Sequence, residues 1–159
     1  MMELLLSLDH AMELTGGILM TGRFGMAVHA MALLAMFPES RHSSDEMASS
    51  IGTNPVLVRR LLSTLAKAGL VDNRIGKTGG SKLKRPASRI RLSQIYEAFE
   101  ETPFHMHEHP NPDCPCGSSI EPALAGLFEK MEKAMKKELG RRTLENLVRE
   151  MTEKPIGKK

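Results

Sequence analysis

The sequence predicts a mainly α-helical protein with one small β-hairpin, and three observations lead there. Aromatic side chains make up only 4% of the 159 residues, Trp is absent and there are 12 Met. Such a composition suits a helical, Met-packed core better than a β-sandwich built from aromatic and β-branched residues. Apolar residues recur along most of the chain at helical spacing, and one glycine-rich run, Gly76-Lys77-Thr78-Gly79-Gly80, separates two short segments that lack it. With 41% hydrophobic residues the chain can build a core without disulfide or metal staples.

Residues 1–21 form an N-terminal extension. Leu4, Leu5 and Leu6 are interrupted by Glu3, Asp9 and Glu13 with no basic segment before them, which fits neither a signal peptide nor a membrane span. The extension ends in a breaker-rich stretch around Gly16, Gly17 and Gly22. It is either a segment packed on the domain or on a partner, or an upstream addition to a protein that begins at Met20.

Residues 22–102 make a first domain. Phe24, Ala27, Val28, Met31, Leu34 and Met36 place a buried helix from Arg23 to Phe37, closed by Pro38, with His29 on its apolar face as a packed residue. Ser43 and Glu46 have capping-box spacing and open a second, short helix that ends at Gly52. Asn54 suits the N-cap and Pro55 the first position of a third helix. Leu57, Val58, Leu61, Leu62 and Leu65 give it one apolar stripe before Gly69, and leave Val56, Arg59, Arg60 and Ser63 facing outward. Two short helices joined by a Gly-containing turn, with arginines on the outer face of the second, form a helix-turn-helix pattern. The hairpin that follows is a basic wing with Arg74, Lys77 and Lys82 around its tip. Helical spacing then resumes over residues 92–101 through Ile95, Tyr96 and Phe99.

Residues 103–117 form a His/Cys/Pro loop. From Ser118, where Ser118 and Glu121 repeat the capping box, Leu124, Leu127, Phe128, Met131, Met135 and Leu139 line one side of a long helix. A second run follows Gly140 through Leu144, Leu147, Val148 and Met151. Residues 118–152 are therefore expected to be dimerisation helices, ahead of a flexible tail at 153–159. So wide a stripe after a domain this small calls for a second copy of the chain, with Leu124, Leu127, Phe128, Met131 and Met135 at the interface. An intramolecular cap on the domain is the alternative.

Charge points to the partner. The chain carries +3 overall, yet between Val56 and Leu92 ten basic residues face Asp72 alone, so that stretch is +9 and the remainder −6. Charge concentrated in this way neutralises phosphates and releases their counterions. Double-stranded DNA is the expected ligand, met by Ser44, Asn54, Pro55, Val56, Arg59, Arg60, Ser63, Arg74, Lys77 and Lys82. Arg59 has the reach for a bidentate bond to guanine, and the Val56 methyls suit a thymine methyl. Gly76-Lys77-Thr78 is not a phosphate loop, because Val71 stands where its first glycine belongs and a strand follows instead of a helix. No Ser/His/Asp or paired-carboxylate arrangement has a catalytic context, so no enzyme is expected.

Gly22-Arg23-Phe24, the run Asn54 to Leu62, Leu65-Ala66-Lys67-Ala68-Gly69-Leu70-Val71, the Gly-rich wing and Ile95-Tyr96-Glu97-Ala98 together resemble the bacterial Rrf-type winged helix-turn-helix regulators. The tail from His107 to Pro115 is most similar to the YwnA-like branch. The resemblance covers residues 20–151 and implies a homodimeric transcriptional regulator on a palindromic operator; a repressor acting in the cytoplasm is the expectation. It places Asn54, Val56 and Arg59 on base-facing positions and Arg74 beside the wing tip. The wing departs from it, with Lys77-Thr78 where many members have a proline. Members that bind an iron-sulfur cluster use three widely spaced cysteines; this chain has only Cys114 and Cys116, so no cluster is expected.

Those two cysteines, with His105, His107 and His109, lie within twelve positions. Imidazole and thiolate are ligands for soft and borderline metal ions, and a thiolate just before a helix N-terminus is easier to oxidise. His107, Cys114 and Cys116 are thus candidates for a metal or redox site that modulates the regulator. The alternative is a structural loop whose Pro and Asn serve the turn. A further reading makes the chain a dimeric metal- or thiol-redox protein whose basic hairpin is incidental.

Overall fold

The computed structural model describes residues 16–76, 79–99, 103–104, 106 and 110–153, with backbone alone for 16–21. Nearly all of the proposed N-terminal extension, Lys77, His105, His107, His109 and the tail from 154 onward lie outside the described residues.

Helix α1 spans Gly16–Met36 and begins inside the stretch expected to break it. Glycine in a helix costs about 1 kcal/mol relative to alanine but removes no hydrogen bond. The central burial of α1 offsets that cost: Ala27, Ala30, Met31, Ala32 and Leu34 are almost wholly buried. His29 does not pack as expected; it is exposed, with Nε2 3.1 Å from Ser50 Oγ.

Helix α2, Ser44–Ile51, forms through the expected capping box. Ser43 Oγ accepts the Glu46 N–H at 3.2 Å, and the Glu46 carboxylate accepts the Ser43 N–H at 2.9 Å. It stops at Gly52, whose φ of 75° is left-handed. Helix α3, Pro55–Lys67, starts with Asn54 Oδ1 accepting the Leu57 N–H at 2.8 Å. Its end is a Schellman motif: Gly69, at φ 73°, donates to Ala66 O, and Leu70 donates to Leu65 O, both at 3.0 Å. Leu65 and Leu70 are themselves core residues.

Strands β1 (Val71–Arg74) and β2 (Gly80–Leu83) pair antiparallel, with Val71 opposite Leu83, Asp72 opposite Lys82 and Arg74 opposite Gly80. A short 3₁₀ turn at Ala87–Arg89 leads into α4, Leu92–Glu97, which ends earlier than the spacing predicts.

Helix α5 spans Pro115–Arg141, so the expected start at Ser118 is corrected. Pro115 takes the first helical position, the ordinary place for a proline. The expected capping box at Ser118 and Glu121 does not form, because Ser118 already lies within the helix and its hydroxyl donates to Pro115 O at 3.2 Å. Helix α6, Leu144–Glu153, has its own cap, in which Thr143 Oγ1 accepts the Asn146 N–H at 3.1 Å and Asn146 Oδ1 accepts the Thr143 N–H at 3.1 Å.

The second apolar run was expected to extend the dimerisation element, but α6 turns back onto α1. Leu144 is fully buried, and Leu147 and Val148 pack on the core. Leu92 donates to Arg142 O at 3.0 Å and Leu144 donates to Ile90 O at 2.8 Å, which ties the α5–α6 corner to the segment before α4. Helix α5 itself packs mainly against α4 and has no buried residue. Leu124, Phe128 and Met135 are half-buried, while Leu127 and Met131 are 50% and 40% exposed. No helix among the described residues is long and apolar enough to cross a membrane.

Candidate nucleic-acid interface

The capped start of α3 fixes which side chains it offers. Val58, Leu61, Leu62 and Leu65 point into the core, and the helical repeat turns Val56, Arg59, Arg60 and Ser63 outward. Val56 is 54% exposed, a large share for a β-branched side chain in a well-packed helix. Asn54 is exposed and its oxygen is engaged in capping, and Pro55 is half-buried.

Ser44 and Arg59, predicted separately, come together. Arg59 Nε donates to Ser44 Oγ at 3.0 Å, and its Nη2 lies 3.6 Å from Asp45 Oδ2. The first turn of α2 therefore holds the guanidinium of α3 across the helix-turn-helix. Both charged side chains are more than half exposed, so solvent screens the pair and leaves Arg59 able to exchange Asp45 for another acceptor.

The wing stands beside α3. Asn73 Nδ2 donates to Leu62 O at 3.2 Å, and Ser81 Oγ donates to Asn73 Oδ1 at 2.7 Å. On the other side the α1–α2 loop meets β2 through a single bridge, with His42 donating to Ser81 O at 3.0 Å and Ser81 donating to His42 O at 2.9 Å. Arg41 bridges the two strands. Its Nη1 donates to Asp72 O at 3.1 Å and to Gly80 O at 3.0 Å, and its Nη2 to the Asp72 carboxylate. That hydrogen bond from Arg41, with the nearby charges of Arg41, Arg74 and Lys82, holds the Asp72 carboxyl below its ordinary pKa of 3.8. Gly80 sits at φ 123°, and a Cβ there would lie 2.9 Å from His42 O, so the loop and wing meet too closely for any other residue. Arg74 points outward, with Nε 3.8 Å from Asp72 Oδ2, and Lys82 is half-buried opposite Asp72. Beyond Arg74, Ile75 is fully exposed.

Arg41, Asp45 and Asn73 were not singled out in the sequence, and Gly80 was named only as part of the glycine-rich run. Arg41 lies in a polar loop with no period to mark it, and only its contacts across 31 and 39 residues reveal its part.

The loop before α5 is tightly built. Asp113 donates its N–H to Asn111 Oδ1 at 2.9 Å, and a Cβ on Gly117 would fall 2.1 Å from Asn111 O, so the loop crosses the helix start at a glycine. Cys114 and Cys116 are both exposed, and the backbone N–H groups of Gly117 and Cys116 pull the Cys114 thiol below its ordinary pKa of 9.0. Among the described residues no three His, Cys, Asp or Glu side chains group as metal ligands.

Comparison with known proteins agrees with this geometry. The family model Rrf2, described as an iron-dependent transcriptional regulator, matches residues 20–150. The chain is 39% identical over 132 residues to YwnA of Bacillus subtilis, named as an HTH-type transcriptional regulator, covering 82% of this chain and 97% of that one. It is 38% identical over 89 residues to the HTH-type transcriptional regulator IscR of Cereibacter sphaeroides, across 54% of this chain and 56% of the other. Among solved structures, CymR of Bacillus subtilis, named as a global cysteine regulator, superposes with a TM-score of 0.58 at 25% identity over 79% of this chain and 92% of its own. The mainly helical fold with a two-stranded hairpin fits these relatives, which are transcriptional regulators and not enzymes. The chain belongs to the Rrf2 family of transcriptional regulators.

Proposed function

We propose that the protein is a cytoplasmic repressor that binds double-stranded DNA in a sequence-specific way, as a homodimer on a palindromic operator. The observation that carries this reading is the outward face of α3, where Val56, Arg59, Arg60 and Ser63 stand exposed beside a basic wing. The start of α3 enters the major groove. Arg59, delivered by Ser44, reads a guanine edge, and Val56 meets a thymine methyl. Asn54, Pro55, Arg60 and Ser63 lie along the groove wall near the phosphates. Arg74, Lys77 and Lys82 meet the backbone at the adjacent minor groove.

The half-exposed stripe of α5 supports the dimer. Leu124, Leu127, Phe128, Met131 and Met135 leave apolar surface that α4 does not cover, and a two-fold pairing of two α5 helices covers it and presents two α3 helices to one duplex. Selection of binding sites from random duplex DNA tests the whole reading. An inverted repeat with half-sites about one helical turn apart is expected; no enrichment over the starting pool contradicts it.

A second feature favours regulation at the His/Cys loop. Cys114 is exposed, its thiolate is favoured by two backbone N–H groups, and it opens the helix that forms the proposed dimer. A thiol oxidant or a soft metal ion held with Cys116 and His107 would act there on the spacing of the two recognition helices. DNA affinity measured with and without oxidant and added Zn²⁺, in the wild type and in Cys114→Ser, decides it: an effect present in the wild type and absent in the variant is expected, and equal behaviour of the two rejects it.

A further inference from the structure

We infer that Ile75 reads A·T-rich DNA next to each half-site by seating its side chain in the minor groove, with Arg41 as the positioning residue that aims it. This rests on the DNA-binding reading above and adds a sequence preference that the basic residues of the wing do not supply.

Two observations converge. First, Ile75 is the most exposed large apolar side chain among the described residues, at 105% of its reference area. Isolated exposed apolar residues are common, but this one stands on the tip of a hairpin between Arg74 and Gly76, with Lys82 on the facing strand. The acid nearby, Asp72, is already engaged by Arg41, so the surface around Ile75 is basic. A ligand that fits is anionic along its rims and apolar between them. The minor groove has that form, with phosphates on both edges and sugar rings as walls.

Second, the wing is held too firmly to be a passive strand of charge. Arg41 bonds β1 at Asp72 and the tip-side end of β2 at Gly80, His42 pairs with Ser81, and Asn73 is anchored on the backbone of α3 at Leu62. The position of the tip is thereby set relative to the recognition helix, as reading a fixed flank requires.

The base preference follows from the groove itself. Guanine places an amino group on the minor-groove floor, a polar obstacle that an aliphatic side chain would have to desolvate, whereas A·T pairs carry none. Pyrimidine–purine steps such as TA also open most readily to an apolar wedge.

The experiment compares site selection and fluorescence-anisotropy titrations for the full chain, Ile75→Ser, Arg41→Ala and Arg74→Ala. Wild-type sites are expected to carry A·T-rich flanks. Ile75→Ser should lose that preference and bind the A·T-flanked duplex roughly five- to tenfold more weakly, the scale of losing one to two buried CH₂ groups. Its salt dependence and thermal midpoint should stay those of the wild type, because neither a charge nor a packed group is removed. Arg41→Ala should keep the half-site core and lose the flank preference, and Arg74→Ala should keep the preference while the slope of affinity against salt falls by about one. The inference is overturned if Ile75→Ser retains the flank preference, or if it weakens A·T- and G·C-flanked duplexes equally. A wild-type chain that selects no motif overturns it together with the DNA-binding reading.

Discussion

At the scale of single residues, Arg59 has two roles that separate experimentally. Its contacts to Ser44 and Asp45 are exposed and contribute at most about 1 kcal/mol to stability. Arg59→Ala should therefore leave the urea midpoint nearly unchanged, while costing about 1–3 kcal/mol on operator DNA and relaxing specificity at one base pair per half-site. Equal losses on operator and scrambled duplexes would assign Arg59 to phosphate instead. Asp72 makes a pH prediction. Its pKa is lowered in the folded chain, so its contribution is present above its ordinary value of 3.8 and disappears as pH falls through the folded value. The urea midpoints of wild type and Asp72→Asn should accordingly differ at neutral pH and converge in acid. For Cys114, the lowered pKa means more thiolate below pH 9.0, so iodoacetamide should label it faster than Cys116, read by mass spectrometry of the peptide. Faster labelling of Cys116 would remove the case for a poised thiol.

At the scale of elements, the sequence was most legible where capping and periodicity agreed. Ser43 with Glu46, and Asn54 with Pro55, are local signals with local causes, and α2 and α3 begin where those residues put them. The hairpin was equally plain, because glycines at positive φ leave few alternatives. Legibility failed where two local signals competed or where the deciding contact was distant. Ser118 and Glu121 imitate a cap, but Pro115 already supplies a better first position three residues earlier. The glycines near the start of α1 looked like a break, and nothing local showed that the helix continues through them. Gln94 Oε1 accepts the Arg91 N–H at the start of α4, a pairing that composition alone does not announce. The brace on the wing is the clearest distant case. Gly80→Ala should disorder the hairpin, because the new Cβ meets His42 O and the backbone is left-handed. Loss of amide-exchange protection in β1 and β2 with α3 still protected would report it; an unchanged wing would refute the brace.

At the scale of the whole molecule, the two C-terminal helices divide the work that the sequence assigned to both. Helix α6 belongs to its own domain through Leu144, and Leu144→Ala should destabilise the fold by about 2–5 kcal/mol in urea titration. Helix α5 leaves Leu127 and Met131 exposed, so Leu127→Glu with Met131→Glu should leave the fold intact and halve the mass seen by sedimentation. A double variant that stays dimeric would move the interface elsewhere. The corner between these helices is pinned to the winged domain by the bonds of Leu92 to Arg142 and Leu144 to Ile90, and by Arg91 donating to Gly140 O at 2.7 Å.

The central claim, that α3 and the wing of a dimer read one DNA sequence, is tested most directly by titrating the full chain against its selected duplex and a scrambled duplex across a salt series. The account predicts two chains per duplex, an affinity for the selected sequence at least about 10³-fold above the scrambled one at physiological salt, and a steep loss of both as salt rises. Equal affinity for the two duplexes, or binding indifferent to salt, would contradict it.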